Sequence, residues 1–446
     1  MSKEYDVIIM GSGVVGASIA LALLRNTNLK IALIDRAPQN PPSAKNASTP
    51  FTKGGKIKNS ANIHSCGEGS RTQQVGGIDP LFKGGRRAFC ARRGDLPLGT
   101  RVSAISPASQ KWFEHLSCWT SIKEKGVSPY TDMHIWDATN QNTMHFDCQS
   151  VNASELGFII ENDIIQDSII ELLSLHPHID LLHQEIAHLH STPDAIALST
   201  ENDETLLASL LIGADGAHSW VRERNHIVLK KWRHTPRTAI VATVETTLPH
   251  QETARQIFLP DGPLAFLPLQ NPHHCSIVWS PDSKKANALM TLNDKEFSDQ
   301  LKEAFGSALG SVALLSIRHT FPLQTGYAAT TIHPRVALIG DAAHTIHPLA
   351  GQGMNLGLAD AACLAEIIID AHQKNQDIAS QATLRRYERA RKTETLAMLA
   401  GIEAIHALFS AKDKKIETIR SIGWKGIDRC SFVKNFLVQI AMGNRS

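Results

Sequence analysis

Apolar positions follow three different rhythms along this chain. Tyr5 to Met10 is an apolar run broken only by Asp6, as expected of a strand buried on both faces of a parallel sheet. A turn containing Gly11, Gly13 and Gly16 follows, and Ala17 to Arg25 then reads as a nearly all-apolar helix. A second strand over Lys30 to Asp35 completes the opening of a βαβ unit. Buried strands are also expected at Leu206 to Ala214, running into Asp215-Gly216, and at Val336 to Ile339, running into Gly340-Asp341. Helical spacing predicts helices around Gln110 to Leu116, Ile159 to Leu175, Asn355 to Ala371, Leu384 to Leu408 and Phe432 to Met442. Between Thr238 and Ser280 the period changes to two: Ile240, Ala242 and Val244 alternate with their neighbours, and Gly262 to Leu269 adds another strand. An antiparallel sheet, and with it a second domain, is expected there.

Pro38 to Thr100 has none of these rhythms. It is rich in Gly, Pro, Ser, Asn and Lys, carries Gly-Gly pairs at 54, 76 and 84, and reads as a long loop or disordered insertion. It also dominates the charge. Positions 41 to 100 hold ten Lys or Arg against three Asp or Glu, a local +7, so the net +2 of the chain leaves −5 for the rest. Basic residues without a folding pattern do not make a nucleic-acid surface, and no nucleic-acid partner is expected.

A chain of 446 residues exceeds what one core usually supports and is long enough to enclose a large cofactor. The seven cysteines (Cys66, Cys90, Cys118, Cys148, Cys275, Cys363 and Cys430) are odd in number and never spaced C-x-x-C, which argues for a reducing compartment with no zinc site and no disulfide framework. Val7 to Leu24 is apolar enough to suggest a signal peptide, but Glu4, Asp6 and three glycines interrupt that pattern. No other run approaches the ~18 apolar residues that span a bilayer. A cytoplasmic location, peripheral to the inner membrane where the substrate requires it, is expected.

Gly11-Ser12-Gly13-Val14-Val15-Gly16 lies between a strand and a helix, the context a dinucleotide-binding turn requires. The glycines permit a tight turn and close approach of a pyrophosphate, whose charge is stabilised by free N–H groups and the helix dipole. Asp35, at the end of the next strand, can accept the hydroxyls of an adenosine ribose. This turn alone does not separate FAD from NAD. Asp215-Gly216 also lies at a strand end, though taken alone an Asp-Gly pair is more often a plain turn. Arg335 to Asp360 is more specific. A buried strand delivers Asp341 to its carboxyl end, and Gly351, Gly353 and the helix beginning near Asn355 present N–H groups that would stabilise charge on the N1/O2 edge of a reduced flavin. No second dinucleotide turn is present, so NAD(P)H is expected only as a transient co-substrate. H-E-x-x-H, G-x-S-x-G and P-loop patterns are absent.

These segments, above all Gly340-Asp341-Ala342-Ala343-His344 and His347-Pro348-Leu349-Ala350-Gly351-Gln352-Gly353-Met354-Asn355, resemble the UbiH/UbiF/VisC group of ubiquinone-biosynthesis hydroxylases. That group lies among the flavoprotein monooxygenases with the p-hydroxybenzoate hydroxylase fold. The resemblance covers residues 5 to 36 and then 101 to 446. It implies an α/β fold in which a Rossmann-like FAD-binding domain is interleaved with an antiparallel-sheet substrate domain and followed by a helical C-terminus. The implied boundaries are 1–37, 101–120, 156–233 and 321–380 for the FAD domain, 121–155 and 234–320 for the substrate domain, and 381–446 for the C-terminal helices, with 38–100 an insertion between Asp35 and Arg101.

Residue by residue, the resemblance implies that Gly11, Gly13, Gly16 and Asp35 hold the AMP half of FAD, that Arg101 and Gln166 contact the pyrophosphate and ribityl region, and that Asp215 lies near the flavin. Asp341 would bind the ribityl or pyrophosphate part, while Pro348, Gly351, Gln352, Gly353, Met354 and Asn355 border the isoalloxazine. Ala265, Phe266, Leu267 and Pro268 would wall the substrate pocket, and His347 and Pro348 are the candidate catalytic positions. His344 and His347 can be read as proton carriers or as ties to backbone carbonyls. The implied reaction hydroxylates the ring of a hydrophobic prenylated phenol with NAD(P)H and O₂, through a flavin C4a-hydroperoxide. Other ubiquinone-biosynthesis proteins and a membrane surface are the implied partners; Phe432, Phe436 and Ile440 fall on one side of the last predicted helix, a pattern that fits core packing more readily than rest on a membrane. A related hydroxylase or epoxidase acting on another hydrophobic substrate, or a flavin-binding assembly subunit without turnover, remains an alternative.

Overall fold

The computed structural model describes residues 2–35, 101–139, 143–231, 236–346, 352–410 and 442–443. The chain opens with β1 (Ser2–Met10), α1 (Val14–Asn26) and β2 (Ile31–Asp35). β3 (Val102–Ile105), α2 (Pro107–His115), α3 (Trp119–Lys125), β4 (Asp132–Asp137), β5 (Gly157–Glu161), α4 (Asn162–Leu173), β6 (Ile179–His183) and β7 (Thr205–Gly213) follow. The second half adds β8 (Arg237–Thr246), β9 (Thr253–Leu259), β10 (Gly262–Pro268), β11 (His274–Trp279), α5 (Ser283–Thr291) and α6 (Asp294–Phe305). It closes with β12 (His319–Leu323), β13 (Val336–Leu338), α7 (Gln352–Gln373) and α8 (Gln381–Ser410).

The continuous apolar runs form the first sheet. β6, β2, β1, β7 and β13 lie side by side in that order, all parallel. Val7, Ile9, Leu33 and Ile212 point to one face, where Ile19 and Leu23 of α1, Ile165 of α4 and Leu364 and Ile368 of α7 cover them. Ile8, Met10, Ile34 and Leu211 point to the other face and pack against Ile196 and Leu198 of an antiparallel pair. Both faces are dry, so these strands cannot alternate in polarity. Each fully buried Ile or Leu contributes about 1.5–3 kcal/mol.

One predicted boundary is corrected. The helix expected from Ile159 begins only at Asn162, because Phe158 to Glu161 pair as a strand with β3, and Ser128–Tyr130 pairs on the other side. Phe158, Ile159 and Ile160 are strand-favouring residues, and pairing on both sides decides the conformation.

The second sheet runs Val312–Leu314, β8, β11, β10, β9, β4 and Thr143–Asp147, with β12 also on β8. Its pairs are antiparallel except β4 with β9. Ile240, Ile257, Leu264, Phe266 and Trp279 face α5 and α6, where Leu289, Phe297, Leu301 and Phe305 complete a core. On the opposite face Ile135, Met144 and Phe258 meet Ile346 and Met398, so this face closes over the loop that follows β13. The expected insertion at 38–100 and the expected helix over Phe432 to Met442 lie outside the described residues, save Met442, which is buried against Cys148 and Leu156. No helix among the described residues is long and apolar enough to cross a membrane.

Candidate active site between the two sheets

The carboxyl ends of β1, β7 and β13 bring Gly11, Ala214 and Gly340 together, the location where ligands gather in open α/β sheets. Gly11 has φ +105°, and a Cβ there would lie 2.3 Å from the Ala214 carbonyl oxygen. At Gly16 a Cβ would lie 2.0 Å from the Gly11 oxygen, so α1 can start against the turn only without one. Gly13 differs. It adopts φ −60°, caps α1 without a side-chain hydrogen bond, and a Cβ there would meet nothing within 4 Å. The first N–H groups of α1 thus open onto free space, which is what a pyrophosphate needs.

The other candidates gather around this opening in different ways. Gln166 Nε2 donates to the Ser12 oxygen at 3.0 Å and so braces the Gly-rich turn. Asp35 ends β2 beside His183 of β6, whose Nδ1 is 3.9 Å from its carboxylate. Arg101 stacks its guanidinium on the Phe321 ring of β12 at 5.3 Å, joining the start of β3 to the second sheet. Asp215 Oδ2 accepts the Val221 N–H at 3.1 Å, whereas Oδ1 is buried with no partner. Burial raises the Asp215 pKa above the ordinary carboxylate value against the opposing hydrogen bonds of Ser219 and Val221.

Asp341 follows Gly340 just beyond the end of β13. Water reaches it, yet protein crowds it closely enough that desolvation raises its pKa, against the pull of His344 and Arg101. Arg222, 4% exposed, donates to Ala342 O at 2.9 Å and Ala217 O at 2.8 Å, tying the Asp215 and Asp341 segments together.

Asn355 carries a different load from the one expected. Its Oδ1 accepts the Ser106 N–H at 2.9 Å and the Ser109 hydroxyl at 2.8 Å, while Nδ2 donates to Ala104 O at 2.8 Å. The side chain bolts the first turn of α7 to the β3–α2 junction. Gln352 begins α7, Gly353 has only Ile346 near its Cβ direction, and Met354 packs on the core beneath the parallel sheet. His347, Pro348 and Gly351 lie outside the described residues.

Alternation in β10 divides the four expected pocket residues. Ala265 and Leu267 are half-buried on the face opposite α6. Phe266 points the other way, its ring 3.9 Å from that of Phe305 in the core, and Pro268 is buried. Phe266 is therefore corrected from pocket wall to core.

His344 is 3% exposed, with Nε2 2.5 Å from Asp360 Oδ2, which places it behind the cleft as a tie and not as a free base. Asp360 and Arg391 were not foreseen. The available signal was one acid inside the apolar stretch Leu356 to Leu364, which demands a buried partner without saying which. Among the described residues no group of His, Cys, Asp and Glu is arranged to hold a metal.

The glycine cradle, the orphaned Asp215 oxygen and the free helix start fit an FAD. Residues 162–400 match the family model described as an FAD binding domain. The chain is 32% identical over 344 residues to 3-demethoxyubiquinol 3-hydroxylase of Escherichia coli (strain K12), covering 77% of this chain and 87% of that protein. It is 33% identical over 344 residues to ubiquinone hydroxylase UbiL of Rhodospirillum rubrum, covering 77% and 79%. In fold it is similar to p-nitrophenol 4-monooxygenase PnpA of Pseudomonas putida, with a TM-score of 0.71 at 16% identity over the full length of both chains.

Proposed function

Because the chain belongs to the FAD-dependent monooxygenases, in the branch that holds the ubiquinone hydroxylases, we propose that it hydroxylates the aromatic ring of a prenylated phenol in ubiquinone biosynthesis, with NAD(P)H and O₂ as co-substrates. The observation that supports this reading is the packing of the Gly11 turn against Ala214 and Asp215, with Arg222 tying Ala217 to Ala342 beside Asp341.

FAD held there supplies the redox chemistry that takes electrons from NAD(P)H and activates O₂ for transfer of one oxygen atom to an electron-rich ring. The chain's own part is binding, orientation and exclusion of water. Gly11, Gly13 and Gly16 admit the pyrophosphate to the start of α1, and Asp35 accepts the adenosine hydroxyls. Arg101 would contact the pyrophosphate and ribityl region, and Asp341 the ribityl or pyrophosphate part. The orphaned Asp215 oxygen accepts a hydrogen bond from cofactor or pyridine nucleotide. The start of α7, from Gln352 to Asn355, would stabilise negative charge on the reduced ring through its dipole, and His347, Pro348 and Gly351 precede it in the sequence. Ala265 and Leu267 form the apolar wall that positions the phenol and excludes water. Because a prenyl tail partitions into lipid, work at a membrane surface and handover from neighbouring biosynthetic proteins belong to the same proposal.

The test is aerobic NAD(P)H oxidation by FAD-loaded protein with a short-chain prenylphenol. Stimulation by the phenol, with a product heavier by one oxygen atom, is expected. Bound FAD with no hydroxylated product would exclude this activity and favour a non-catalytic assembly role.

A further inference from the structure

Neither Asp360 on α7 nor Arg391 on α8 is among the residues placed against FAD. The Asp360 carboxylate, 1% exposed, accepts from Gly340 N–H at 3.1 Å, from His344 Nε2 at 2.5 Å and from Arg391 Nε at 2.8 Å. Burial alone would raise its pKa, and His344 and Arg391 reverse this to hold it below the ordinary value. An ionised carboxylate only accepts, so His344 Nε2 must carry the proton in that bond. Two of the three donors flank Asp341: Gly340 precedes it, and His344 follows three residues later. Gly340, at φ +60°, adopts a backbone that few other residues tolerate, and the same carboxylate holds its N–H.

Arg391, 3% exposed, extends the chain of contacts into α8, where it also pairs with Glu394. One turn earlier on that helix, Tyr387 donates its hydroxyl to Leu338 O at 2.9 Å, the last residue of β13. As a device for stability alone this cluster is poor, since an apolar set of the same volume is often as stable as a buried ion pair. Its advantage is a fixed geometry: a carboxylate with three directed partners admits one arrangement of the turn.

We propose that Arg391, acting through Asp360, is a positioning residue of the cofactor site that sets the turn on both sides of Asp341. This rests on the FAD reading given above. FAD is titrated by fluorescence quenching into wild-type, Arg391→Met, Arg391→Lys and Leu384→Ala protein, together with the unfolding temperature of each ligand-free form. Leu384, 1% exposed on the same helix, controls for lost stability alone. Arg391→Met is expected to bind FAD about tenfold more weakly, as loss of one charged hydrogen bond from a directed set would give, and to alter the visible band of the bound flavin. Arg391→Lys should recover part of the affinity. Leu384→Ala should unfold at lower temperature yet bind FAD as the wild type does while folded. If Arg391→Met is insoluble, Asp360→Asn takes its place in the same comparison. Wild-type affinity in either folded variant would overturn the proposal, whereas failure of the wild type to bind FAD would remove the reading beneath it.

Discussion

Asp215 is held in a state that folding does not favour. One oxygen is buried without a partner and burial raises its pKa, so above the folded value the ligand-free protein carries an ionised carboxylate at a cost. Asn at this position should make the ligand-free protein more stable. A raised folded pKa means that both states are protonated at low pH and the two proteins are equal there. The advantage of Asn then grows as pH rises from the unfolded value near 3.8 through the folded value, and is constant beyond it. Unfolding temperatures of Asp215→Asn and wild type across pH 3 to 8 check this, and the variant should bind FAD more weakly, a trade expected of a site residue. Asp215 and Asp341 were legible because an acid follows a buried strand in each case. Asp360 and Arg391 were not, because their meeting depends on how α7 packs on α8, 31 residues apart in sequence.

The glycine turn separates fold from function within one element. Gly16→Ala must push a Cβ into the Gly11 oxygen 2.0 Å away, so the ligand-free protein should lose stability. Gly13→Ala has open space and an ordinary φ of −60°, so it should fold as well as the wild type and fail at FAD binding, because the methyl group occupies the approach of the pyrophosphate. Thermal unfolding and flavin titration of both variants separate the two effects, and equal behaviour would contradict the division of roles.

β10 makes a parallel case. Phe266→Ala empties a packed core beside Phe305 and should cost about 3–5 kcal/mol. Leu267→Ala, on the half-buried face, should leave stability nearly unchanged and raise KM for the prenylphenol. A period-two pattern shows that a strand has two faces but not which one meets the cofactor, so Ala265 to Pro268 could be located but not divided. The Ile159 to Leu175 segment failed for a related reason: its first residues fit helix and strand periods equally, and pairing with β3 decided between them.

At the scale of the whole molecule, a parallel sheet supplies the Gly-rich turn and the acid-bearing strand ends, and a second sheet packs beside it, with Arg101 on Phe321 and Ile346 among Ile135, Met144 and Phe258 as the seams. This two-sheet plan was legible from the change of period near Thr238, since apolar runs and alternating strands demand different environments. The seams were not, because each joins side chains far apart in sequence. The central claim is that these separated segments build one FAD site, and a titration of the purified chain with FAD tests it most directly. Saturable binding of one FAD per chain is expected, lost for the most part in Asp341→Ala. A folded wild-type protein that shows no flavin absorbance after FAD is supplied, or an Asp341→Ala variant with unchanged affinity, would contradict it.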